Sequence, residues 1–94
     1  MISDTLHIIF GNASHSKKYS QTNAINPRYI VLATQPELIL SKMALDIHKI
    51  TVVRYPEEIW KPTTFPCEKR VNETERMIKG YRNLGVTVIE EEKK

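Results

Sequence analysis

The sequence predicts a small Rossmann-like α/β domain: a mostly parallel four-stranded sheet with two main helices, in the order β-loop-β-α-β-loop-α-β. Short apolar runs rich in β-formers recur at 5–10, 29–33, 50–53 and 86–89. Between the second and third runs, and between the third and fourth, apolar residues repeat at helical spacing. Strands that alternate with helices pair in parallel through right-handed crossovers. A chain of 94 residues holds one such domain, spanning 1–94, with a single core of modest size.

Thr5-Leu6-His7-Ile8-Ile9-Phe10 reads as the first strand, closed by the turn residues Gly11-Asn12. Ala13 to Arg28 is polar and has no apolar stripe, so it reads as a long loop with room for a short helix around Ser16 to Thr22. Tyr29-Ile30-Val31-Leu32-Ala33 is almost uniformly apolar, the pattern of a central strand covered on both faces. Thr34-Gln35-Pro36-Glu37 has the grammar of a helix start, with Thr34 as cap, Glu37 in the capping-box position and Pro36 in the first turn. Leu40, Met43, Ala44 and Ile47 then form one stripe of a helix that ends near His48.

Ile50-Thr51-Val52-Val53 is the third strand, stopped by Tyr55-Pro56 because proline has no N–H for the ladder. Residues 56–66 form a structured, proline-rich loop around Trp60. The second helix starts between Cys67 and Asn72, with the longer version favoured by Val71. It carries Met77, Ile78, Tyr81 and Leu84 on one side and stops at Asn83-Leu84-Gly85 before the strand Val86-Thr87-Val88-Ile89. Two helices cover only one face of the sheet fully. The other face is therefore expected to meet the long loops or a second copy of the chain, as in a homodimer.

Composition excludes several classes. With 40% hydrophobic and 27% charged residues the chain is neither disordered nor fibrous. No apolar run approaches the ~20 residues of a membrane-spanning helix, and the polar start Met1-Ile2-Ser3-Asp4 is no signal peptide, so a cytoplasmic protein away from membranes is expected. Cys67 is the only cysteine, which rules out an internal disulfide. His7, His15 and His48 lack metal-ligand spacing, and neither a metal nor a cofactor is expected. The net charge of +3 comes from 14 basic against 11 acidic residues. The excess is not clustered, and Glu90-Glu91-Glu92 would repel phosphates, which argues against direct nucleic-acid binding.

In open parallel sheets ligands bind beyond the carboxyl ends of the strands. That rule selects Gly11 to Lys18, Thr34-Gln35 and Arg54 to Glu57. Asn12, Ser14, His15, Ser16, Lys17, Lys18, Thr34 and Arg54 together supply hydroxyls, an amide, cations and a helix dipole suited to an anion. The three-glycine fingerprint of a dinucleotide site and the ending of a P-loop are both missing. Ser14, His15 and Ser16 are sequence neighbours without an orienting third group, so no catalytic set is assigned. Glu57-Glu58 reads as a solvated loop pair. Tyr55, Trp60 and Phe65 place three aromatic rings in one loop, as plugs for the sheet edge or as anchors for a partner.

Tyr55-Pro56-Glu57-Glu58-Ile59-Trp60 and the stretch from Thr74 to Ile89 resemble the back half of small Rossmann-like nucleotide-binding proteins of the lysine-decarboxylase-like group. The shared pattern is an acidic-tryptophan segment after a strand, then a helix-glycine-strand ending. It covers under half the chain and omits that group's glycine-rich phosphate loop, since Gly11 stands alone. No activity or site residue is carried across.

The leading expectation is a small non-catalytic regulatory module that engages a protein partner. The alternative is a nucleotide- or phosphate-ligand-binding domain, with enzymatic activity left open.

Overall fold

The computed structural model describes residues 5–25, 29–35, 47–60 and 67–93. Within them lie β1 (Thr5–Phe10), α1 (Ala13–Asn23), β2 (Ile30–Leu32), β3 (Lys49–Arg54), α2 (Glu57–Trp60), α3 (Cys67–Asn83) and β4 (Thr87–Glu92). The four strands form one sheet in the order β2-β1-β3-β4. Every pairing is parallel, so the expected small α/β Rossmann-like fold is the observed one. The helix expected over 34–48 and the aromatic Phe65 fall largely or wholly outside the described residues.

β2, expected to be the central strand, is instead a three-residue edge strand; β1 and β3 are central and align over their full length, from Thr5 opposite Lys49 to Phe10 opposite Arg54. Because side chains alternate along a strand, each strand feeds two cores. Leu6, Ile8 and Phe10 join Val31, Ala33, Ile50, Val52 and Ile78 of α3 on one face. Ile9 and Val53 join Tyr19 of α1 on the other, with Ile30, Leu32 and Tyr55 packed around them. The helices therefore lie on opposite faces, as successive right-handed crossovers demand when the chain reverses direction across the sheet.

Ala13 to Asn23 is a helix, which corrects the expected long loop and places α1 on the sheet face that was expected to meet loops or a second copy of the chain. Only Tyr19 is buried along it, so no apolar stripe marks it. Asn12 supplies the start: its Oδ1 accepts from His15 N at 3.0 Å, and its own N–H donates to His15 Nδ1 at 3.2 Å. This is a capping box with histidine in the place usually taken by Glu or Gln.

α3 begins at Cys67, in keeping with the longer helix expected. Thr74 and Ile78 point at the sheet, while Val71, Met77 and Tyr81 flank them. Leu84, expected on that stripe, lies past the helix end and is 81% exposed. Gly85 adopts φ +91 in the turn to β4, a conformation that costs an L side chain strain. β4 runs on through Glu90–Glu92, so the acidic run is strand.

Candidate functional site

The strand order creates a reversal point. From β1 the chain moves outward to β2, then returns past β1 to β3 and β4. The segments leaving β1 and β3 consequently depart toward opposite faces, and in open α/β sheets the carboxyl ends of two such strands are where ligands bind. Around that point the turn Gly11-Asn12, the first turn of α1, and Tyr55 form the walls of the candidate site.

Four contacts fix these walls. Tyr55 N donates to Phe10 O at 2.9 Å, continuing the β1–β3 ladder beyond the strands. The Thr34 hydroxyl donates to Gly11 O at 2.7 Å, which ties the end of β2 to the same turn. The Trp60 indole donates to Tyr55 O at 2.7 Å. The rings of His15 and Tyr55 stack, with centroids 4.2 Å apart and planes 13° from parallel. Gly11 permits that stack: a Cβ there would lie 2.9 Å from Tyr55 Cδ1 and 3.2 Å from two His15 atoms.

The start of α1 carries the positive end of the helix dipole. Since His15 Nδ1 accepts from Asn12 N, the ring proton of the neutral imidazole sits on Nε2, which is a donor. Ser14, Lys17 and Lys18 are exposed and Ser16 is half-buried. Ser16 and Lys17 line a cleft of ≈ 460 Å³ with Ala13, Ser20, Gln21 and Ile30, between α1 and β2. Two cationic side chains, two serine hydroxyls and an imidazole N–H thus gather on one helix start. The arrangement can hold an anion through donors alone.

No family model, curated protein or solved structure matches this chain.

Arg54 stands apart from the α1 group. It lies on the α3 face, with its guanidinium 4.5 Å from the Phe10 ring centroid. Nη2 meets Glu75 at 2.7 Å and Nε meets Glu90 at 2.9 Å, and Arg82 reaches the other Glu90 oxygen at 3.4 Å. Burial works against the Arg54 charge, but hydrogen bonds to the two carboxylates outweigh it and raise the pKa. A second cleft of ≈ 460 Å³ surrounds this network, with Arg76 and Lys79 on its rim.

Of the aromatic residues in this loop, the two described ones pack against neighbouring rings. Trp60 packs on Phe10 with centroids 5.8 Å apart, and Tyr55 lies under His15. Ile59 beside them is 45% exposed. His7 is half-buried, with its Nδ1 3.4 Å from the Tyr19 hydroxyl. His48 is exposed. Among the described residues there is no group of three or more His, Cys, Asp or Glu able to hold a metal. Among them, no helix is long and apolar enough to cross a membrane.

Sequence reasoning missed the His15–Tyr55 stack, the close-approach role of Gly11, and Arg70. Arg70 is 3% exposed in the first turn of α3. Its spacing to Thr74 and Ile78 places it on the sheet-facing side of that helix, a signal that was present in the sequence.

Proposed function

We propose that this protein is a binding domain for a small phosphate-bearing ligand of the nucleotide class, held at the carboxyl ends of β1 and β3. The reversal of strand order between these two strands carries the reading. It is supported by the positive end of the α1 dipole and by His15 Nε2, with Ser16 and Lys17 in the adjoining cleft between α1 and β2 also favouring negative charge. The stacked pair of His15 and Tyr55 adds an aromatic wall suited to a planar base. The reading assigns binding and no catalytic step.

Thermal unfolding with nucleoside monophosphates and diphosphates tests it. A ligand at a hundred times its Kd stabilises the fold by about 2.7 kcal/mol, a shift of several degrees in Tm. Lys17→Ala is expected to weaken binding about tenfold through loss of a charge-assisted hydrogen bond. Absence of any shift at millimolar nucleotide removes the reading.

Exposed Ile59 favours a second reading, in which α2 engages a protein partner. Here Trp60 and Tyr55 prop the docking turn from within. Ile59→Ser abolishing a partner's association would support it, and unchanged association would remove it.

A further inference from the structure

The least compensated group among the described residues is the guanidinium of Arg70. The residue is 3% exposed. Nη1 donates to Thr74 Oγ1 at 2.7 Å, while Nε and Nη2 are buried and have no hydrogen-bond partner. Burial, the larger influence, lowers the Arg70 pKa, and Glu73 only partly opposes it. Arg54, which faces the same sheet from β3, shows the contrast: it is bonded to two carboxylates. A buried cation without a counter-charge is costly. Arginine remains charged in proteins, so the charge cannot be removed by loss of a proton.

The position of this charge is informative. α3 returns the chain from the carboxyl end of β3 to the amino end of β4, so its first turn, Cys67 to Arg70, lies at the carboxyl edge of the sheet. The positive end of the α3 dipole lies there as well. Arg70 thus stands in the helix turn at the carboxyl edge of the sheet, on the face opposite α1, with its guanidinium turned toward Thr74.

We propose that Arg70 is an anion-binding residue, its planar fork taking a phosphate group at the start of α3 through the nitrogens that now lack partners. The inference deepens the reading above and rests on it for the nucleotide class of the ligand. In the present conformation both nitrogens are covered, so contact requires rotation of the side chain toward the helix amino end, the direction in which helical side chains ordinarily lean. That rotation breaks one hydrogen bond. The Thr74 hydroxyl remains satisfied, because it also donates to Arg70 O at 2.8 Å. Phosphate suits the fork through two parallel N–H···O bonds, a geometry lysine cannot reproduce.

The test uses inorganic phosphate, in chloride solutions of matched ionic strength, on the wild-type protein, Arg70→Met and Arg70→Lys. Phosphate is expected to raise the wild-type Tm saturably and to move the Arg70 Nε–H resonance in nitrogen-edited NMR spectra with the same midpoint. Arg70→Met should lose the Tm response, and Arg70→Lys should bind at least tenfold more weakly. Far-UV circular dichroism checks the fold of both variants. The Nε–H resonance of the wild type provides an answer that does not depend on either variant folding.

The proposal is overturned if phosphate produces no shift, if Arg70→Met responds as the wild type does, or if the Nε–H resonance stays fixed while phosphate binds. AMP and adenosine then separate the two sources of phosphate. AMP binding that depends on Arg70, with adenosine unaffected by the substitution, assigns the site to a nucleotide phosphate. Phosphate binding through Arg70 without any nucleotide binding ends the nucleotide reading and leaves Arg70 as an oxyanion site. Nucleotides that bind wild type and Arg70→Met equally do the reverse.

Discussion

The two faces of the sheet are built on different terms. Beneath α3, eight buried residues, from three strands, the helix and Ala33 just past β2, form one apolar cluster. Beneath α1, the cluster has three buried members, Ile9, Tyr19 and Val53, and its neighbours include His7, hydrogen-bonded to the Tyr19 hydroxyl. Beyond that cluster, Thr51 is half-buried and Ile89 is 42% exposed on the same face of β3 and β4. Apolar burial contributes roughly 1.5–3 kcal/mol for each large side chain, so the α3 face supplies most of the stability. The thinner face carries the helix whose first turn offers donors to a ligand. Local opening free energy follows the density of buried apolar contacts, and the α1 side should open first in hydrogen exchange.

The largest effect expected from breaking this asymmetry is at Phe10. It is fully buried, in contact with Trp60 and beneath the Arg54 guanidinium. Phe10→Ala should lower stability by about 3–5 kcal/mol in urea unfolding. On the other face, Tyr19→Phe removes only a long hydrogen bond of 3.4 Å and should cost at most about 1 kcal/mol. Equal losses at the two positions would contradict the asymmetry.

Gly11→Ala should come next. Its Cβ would press on Tyr55 Cδ1 at 2.9 Å, inside any ordinary contact, and on His15 at 3.2 Å. Both rings must move, and overpacking of this kind costs about 1–3 kcal/mol. Because the damage falls on the wall of the candidate site, nucleotide affinity should drop by more than it does in Tyr19→Phe. Calorimetric titration of the two variants decides the point, and equal affinities would detach that wall from ligand binding.

How much of this was readable before the structure depended on the kind of signal. Thr5–Phe10 emerged with the expected bounds, because an apolar β-rich run closed by a glycine turn has few other readings. Ile50–Val53 was extended by one residue at each end, to Lys49 and Arg54, since ladder hydrogen bonds do not depend on side-chain polarity. α1 escaped because its one buried residue, Tyr19, makes no stripe. Topology still contained the signal: parallel strands need a crossover between β1 and β2, and Asn12 was a ready cap. Within the site, Gly11, Asn12, His15 and Tyr55 were individually visible. Their meeting was not, since the stack joins residues from opposite sides of a parallel crossover. Arg70 was passed over because its charge suggested solvent, although helical spacing aligned it with Thr74 and Ile78.

The finest probe of the two faces is acid titration, because each face holds one group whose protonation opposes folding, in a different pH range. On the α1 face, burial lowers the His7 pKa below 6.5, with Lys49 adding to the effect and Glu91 opposing it. The folded state therefore binds this proton less readily than the unfolded chain. Its contribution to stability is complete above pH 6.5 and is lost as pH falls from there through the folded-state value. On the α3 face, the hydrogen bond from Arg54 is the largest influence on Glu90 and lowers its pKa below 4.5 against a burial effect that raises it, with Arg82 assisting. The same sign applies at lower pH: stability is complete above 4.5 and declines as acid reaches the folded-state value. Urea unfolding between pH 8 and 3 should therefore show two separate declines. His7→Gln should flatten only the upper one and Glu90→Gln only the lower one. An upper decline that persists in His7→Gln would assign that proton to another group and remove the titrating histidine from the α1 face.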